Sequence, residues 1–136
     1  MSRHQTDRGF TLTELLIAIA VVSILVSIAV PSYRSYIVRG KRSAAQSVMM
    51  DIANREQQYL LANREYADKD TLEANGFSLP AEVRENYTWE IDFGESGPPS
   101  FVITFTGTGT QAVDNTPGPL TLSSSGEKTP AEKWQR

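Results

Sequence analysis

The chain has 136 residues, enough for one small domain plus an extended element, with a formal charge of -3 that gives the whole chain no strong pull toward nucleic acid. It contains no cysteine, which excludes disulfide staples, thiolate catalysis and Cys-zinc sites. Its single histidine, His4, lies in the first ten residues, so the commonest general base is missing from the rest of the chain.

The first element in chain order is a stretch from Phe10 to Val30. Leu15 to Val30 is interrupted only by Ser23 and Ser27. As a helix the stretch rises roughly 31 Å, about the thickness of a hydrocarbon core. A cleaved secretory signal fits poorly, because no small-residue cleavage site follows the apolar run, which ends in VPSYRSY. A buried soluble helix fits worse, because the rest of the chain is too short to cover every side of it. The basic residues beyond the span, Arg34, Arg39, Lys41 and Arg42, outnumber Arg3 and Arg8 before it. Taken alone, that count places the C-terminal flank in the cytoplasm.

The residues Gly9-Phe10, then Thr11-Leu12-Thr13-Glu14-Leu15, then the apolar run and Pro31, resemble the N-terminus of type IV pilins and pilin-like proteins. The resemblance implies that residues 1–9 are a leader, and that a prepilin peptidase cuts between Gly9 and Phe10 and methylates the new amine of Phe10. It also implies a single-pass inner-membrane precursor with its N-terminus cytoplasmic and its head periplasmic, and later a place at the cell surface in a pilus. This opposes the basic-residue count. The family reading is preferred, since long domains translocate largely regardless of charge.

Cutting after Gly9 would leave an apolar helix able to exchange lipid for neighbouring helices. Glu14 would become the fifth residue of the processed chain. A carboxylate at the bilayer centre costs about 2.5–3.5 kcal/mol, and less near an end. The resemblance supplies a partner, the free amine of a neighbouring subunit's Phe10, and such a pair would set axial register. The plainer alternative is a carboxylate favoured by the dipole at a helix N-terminus. Pro31 removes one helix hydrogen bond; the resemblance makes it a kink or a locally melted stretch in the fibre, with helix on both sides.

Residues 32–62 continue as an amphipathic helix. Ile37, Ala44, Ala45, Val48, Ile52, Tyr59 and Leu60 recur at spacings of mostly three, four or seven, while Arg39, Lys41, Arg42, Asp51, Arg55 and Glu56 are assigned to the wet side. Gly40 weakens this helix by about 1 kcal/mol. Residues 63–86 form a connector with a short helical turn around Thr71 to Asn75, stopped by Gly76. Residues 87–126 carry three short strands. YTWEIDF places Tyr87, Trp89, Ile91 and Phe93 on one face, SFVITFT places Phe101, Ile103 and Phe105 together, and PLTLSSS contributes Leu120 and Leu122. The segment from Gly107 to Gly118 is read as a flexible break, and residues 127–136 as an irregular tail. The class is α+β, a type IV pilin fold in which a long helix packs its second half on a small antiparallel sheet.

GTQAVDNTPGPLTLSSSGEKTPAEKW resembles the C-terminal end of minor pilins of the PilE type. In that family a disulfide pins the C-terminal loop. The resemblance sets Pro117 and Lys133 at the places of its two cysteines, so the loop is either less stable here or held by strand pairing and burial of Trp134.

No cofactor is expected. Asp68, Asp70 and Glu73 lack the spacing of a calcium loop and read as a solvated acidic loop. Gly107-Thr108-Gly109 follows a strand but opens no helix that could cradle phosphate. Arg34, Arg39, Lys41 and Arg42 admit headgroup contact, pairing with neighbouring subunits, or DNA contact. Without the leader the chain has 11 basic and 15 acidic residues, a charge of -4, and nucleic acid is the least favoured of the three.

The reading is therefore a minor pilin of the type IVa system, not an enzyme but a peptidase substrate. It helps initiate or prime a fibre that supports twitching, adhesion or DNA uptake. Its partners are the major pilin, other minor pilins, the prepilin peptidase, the inner-membrane assembly platform, and lipid before assembly. The alternatives are a type II secretion pseudopilin, a DNA-binding uptake pilin and a plain single-span membrane protein.

Overall fold

The computed structural model describes residues 9–135. The basic residues of the leader, Asp7 and His4 lie outside them. Helix α1 runs from Leu12 to Asn63, 52 residues, with Pro31 inside it and helix on both sides. The chain divides into two units, one up to Ile37 and one from Val38 onward.

Among the described residues of the first unit, nothing packs against α1. Leu16, Ile17, Ile24, Leu25 and Ile28 are all well over half exposed. This is the one helix among the described residues that is long and apolar enough to cross a membrane. Its two polar side chains are satisfied locally. Ser23 Oγ donates to the Ile19 carbonyl at 2.8 Å and Ser27 Oγ to the Ile24 carbonyl at 2.7 Å. Hydroxyls tied to the helix's own backbone need no water, so they cost an apolar environment little.

The second unit is the head. After α1 come two short helices, α2 (Lys69–Ala74) and α3 (Ala81–Arg84), then strands β1 (Tyr87–Phe93) and β2 (Phe101–Gly107). A 3-10 helix follows (Gly109–Asn115), then β3 (Leu120–Ser123), β4 (Lys128–Thr129) and a final 3-10 turn (Ala131–Lys133). The sheet order is β1-β2-β3-β4, antiparallel throughout. The register places Trp89 opposite Phe105 and Ile103 opposite Leu122, so the apolar members of each alternating strand share one face. That face packs with Ala45, Met49 and Ile52 of α1. Ala67, Leu72, Phe77 and Val83 of the connector close over the same core. The Phe77 and Trp89 rings meet edge to face at 5.5 Å, and Tyr66 meets Phe101 at 4.8 Å.

Several expectations are corrected here. Glu56, assigned to the wet side, is fully buried, because residues 45, 49, 52 and 56 form one stripe of the helix facing the connector and sheet. Along β1 the buried face fades: Tyr87 and Trp89 are buried, Ile91 is half-buried and Phe93 is 41% exposed. The break after β2 is a 3-10 helix, docked tightly on β2. Gly107 and Asn115 exchange hydrogen bonds of 2.7 and 2.8 Å, and a Cβ on Gly107 would run into the Gln111 carbonyl. The tail is ordered, contributing a fourth strand that completes a hairpin through a turn in which Gly126 has φ +85°. The helical turn at Thr71 begins earlier, at Lys69, because Asp68 caps it by accepting from the Thr71 N–H at 2.8 Å.

Candidate assembly helix and basic groove

At the start of α1, Glu14 Oε2 accepts from the Thr11 backbone N–H at 2.9 Å and from its hydroxyl at 2.8 Å, while Thr11 Oγ1 accepts from the Glu14 N–H at 3.2 Å. This is a reciprocal capping box. Its signature, Thr-x-x-Glu at residues 11–14, is legible in the sequence. Phe10, next to it, is 83% exposed. Gly9, Phe10 and Glu14 thus sit together at one end of the apolar helix, and Pro31 lies inside α1.

In the head the chemistry gathers on Asp114, a residue that sequence reasoning missed. The 3-10 helix after β2 buries its carboxylate completely. Arg42 of α1 meets Asp114 Oδ1 through Nε at 2.7 Å and Nη2 at 2.5 Å. Tyr87 of β1 donates its hydroxyl to Oδ2 at 2.7 Å, and Gln111 donates to that hydroxyl at 2.8 Å and to the Val38 carbonyl at 3.0 Å. Burial, and then the adjacent Asp114 carboxylate, push the Tyr87 phenol far above its ordinary value, so it stays a donor at every physiological pH.

Lys133 completes the cluster. It is 7% exposed, and its ammonium donates to the backbone carbonyls of Asp114 and, at 3.0 Å, Gly118, and lies 4.0 Å from Asp114 Oδ1. Burial lowers its affinity for the proton, while Asp114 holds it up. Lys133 and Pro117 are the positions that the sequence resemblance sets against the family's two cysteines, and Gly118 follows Pro117. A charged hydrogen-bonded clasp therefore ties the tail to the segment before β3. Trp134 adds to it, half-buried, with its indole N–H on the Thr129 carbonyl at 3.1 Å.

The basic residues after the span do not act as one cluster. Lys41 donates to Asn86 Oδ1 at 2.7 Å on one flank of α1. Arg39 and Arg42 instead line a groove of about 560 Å³, whose other wall is Lys128, Lys133 and Trp134. Among the described residues no acidic side chain lines this groove. Nearly ninety residues separate its two walls, so no local pattern could reveal it.

The described residues thus combine an exposed apolar helix opened by a capping box with a helix-on-sheet head. Residues 5–30 match the family described as "Prokaryotic N-terminal methylation motif", and residues 31–121 match that described as "Type IV minor pilin ComP, DNA uptake sequence receptor". The chain belongs to the type IV pilin family, and its head is a ComP minor pilin domain. The methylation motif marks it as a prepilin peptidase substrate, in a family of structural proteins and not enzymes.

Among curated proteins it is 32% identical over 86 residues to the type IV major pilin protein PilE1 of Neisseria gonorrhoeae, covering 63% of this chain and 52% of that one. It is 49% identical over 41 residues to the fimbrial protein EcpC of Eikenella corrodens, covering 30% and 27%. The chain spans about half the length of the PilE1 and Neisseria fimbrial proteins it matches. A type IV pilin of Shewanella oneidensis superposes with TM-score 0.54 at 20% identity, over 73% of this chain and 99% of that one, a likeness of fold.

Proposed function

We propose that this chain is a minor pilin of a DNA-uptake pilus, built into the fibre by its N-terminal helix and presenting a head that receives DNA. The observation that carries this reading is the match of residues 31–121 to a minor pilin family described as a DNA uptake sequence receptor. It reverses the rank that net charge assigned to nucleic acid, because DNA responds to where cations stand and not to their sum.

Assembly follows from the helix. Residues 1–9 are removed between Gly9 and Phe10 on the cytoplasmic side, and Phe10 is N-methylated. Residues 10–31 span the inner membrane with the head periplasmic, then leave lipid to pack against the major pilin and other minor pilins. Glu14 takes the Phe10 amine of a neighbour as its cation, exchanging its own Thr11 contacts for that pair. Pro31 is where the helix yields in the fibre. The exposed apolar residues support this reading, since lipid or neighbouring helices are the environments that suit them.

The test joins mass spectrometry of sheared surface fibres to transformation. A chain beginning at N-methylated Phe10, present at low abundance in fibres, together with loss of DNA uptake when its gene is deleted, is the expected result. A chain still carrying its leader and confined to the membrane overturns the pilin role. A processed fibre subunit whose deletion leaves uptake intact overturns the DNA role alone.

A further inference from the structure

A nucleic-acid backbone is held by cations set along a groove. The groove between α1 and the tail has that character. Arg39 and Arg42 stand one helical turn apart on α1, and Lys128 and Lys133 stand on the facing wall. Asp114, buried behind the groove, is one negative charge engaged by both Arg42 and Lys133. Among the described residues the groove is therefore lined by four basic side chains and no acidic one.

Its walls are tied together before any ligand arrives. Gln46 of α1 donates to the Lys133 carbonyl at 2.8 Å, and Arg42 and Lys133 both hold Asp114. The Lys128 ammonium lies 5.2 Å from the Trp134 ring, which holds it at the groove edge over an apolar face. Cations held in place lose little freedom on binding, which is what makes such a groove effective.

We propose that this groove seats the phosphate backbone of DNA. Arg39 and Lys128 make the phosphate contacts, and the Arg42–Asp114–Lys133 cluster holds the walls apart at fixed spacing and adds its surplus charge. The inference rests on the DNA-uptake reading and gives it a place on the head. Contacts of this kind position a duplex without reading its sequence.

The experiment uses the full chain in non-ionic detergent micelles and a fluorescently labelled random-sequence duplex, followed by anisotropy over a range of sodium chloride concentrations. Arg39→Gln/Lys128→Gln removes two groove charges. Lys69→Gln/Arg84→Gln removes two charges elsewhere on the head and is the charge-matched control. Thermal melting checks that both fold.

The groove variant is expected to lose at least about tenfold in affinity, and to lower the slope of log K against log salt by about two. The control is expected to stay within about twofold of the parent. Equal losses in both variants, or a loss confined to the control, overturn the groove while the DNA-uptake reading stands. A parent chain that binds no duplex at low salt overturns both.

Discussion

Asp114 ties three parts of the head together. Its carboxylate is fully buried and meets Tyr87, Arg42 and Lys133, which come from β1, α1 and the tail. Removing its charge strands a partly buried guanidinium and a buried ammonium. Breaking one partner of a buried pair costs about 3–5 kcal/mol. Asp114→Asn is therefore expected to destabilise the head by roughly that amount, read by denaturant unfolding. Lys133→Met keeps the length of the side chain and removes its charged bonds to two carbonyls. It is expected to cost about 2–3 kcal/mol and to expose the tail to limited proteolysis before the sheet unfolds.

Glu56 works in the opposite direction. Its Oε2 accepts from the Ala67 N–H at 2.9 Å, but Oε1 is buried with no partner among the described residues. Burial, with a smaller contribution from Asp68, raises its pKa, and the Ala67 bond offsets this in part. A raised carboxyl pKa means that the folded chain binds the proton more tightly than the unfolded one. That contribution to stability is complete below the ordinary carboxylate value and is lost as pH rises through the raised one. Glu56→Gln is expected to melt higher than the parent at pH 7, and the gap should close on acidification below about pH 4.5. A gap that does not change with pH would contradict a buried ionised carboxylate.

At the scale of elements, the start of α1 joins two roles that substitutions can separate. Glutamine can fill the last position of a capping box but carries no charge. Glu14→Gln should therefore leave membrane insertion and helix content intact while fibre incorporation falls at least about tenfold, measured by quantitative mass spectrometry of sheared fibres, if the charge pairs with a neighbour. Thr11→Val removes the hydroxyl but not the carboxylate. It should cost the helix N-terminus about 1 kcal/mol and leave incorporation nearly unchanged. If the two variants lose incorporation equally, capping is the whole role of Glu14.

For the molecule as a whole, the proposed life history turns on one peptide bond. Gly9→Val places a branched side chain beside the scissile position, and the chain is expected to accumulate at precursor mass and be absent from fibres. The head should be untouched, since the head unit begins at Val38. A processed Gly9→Val chain would show that the cut lies elsewhere.

What the sequence determined by itself is whatever local pattern encodes. The apolar run from Leu15 to Val30, the Gly9-Phe10 and Glu14 spacing, and the alternation of Tyr87-Trp89 and Phe101-Ile103-Phe105 follow from backbone period and burial, so helix, strands and family were readable in line. Glu56 was not, because α1 buries it only once the connector folds back to offer the Ala67 N–H. Nor were β4, which exists only by pairing with β3, or the 3-10 helix that Gly107 and Asn115 clamp in place. The Lys133 clasp and the basic groove were the furthest from view. Arg42, Asp114 and Lys133 are charges from three distant stretches, each reading as ordinary surface in its own neighbourhood. Only tertiary packing excludes water from Asp114 and sets two cations against one carboxylate.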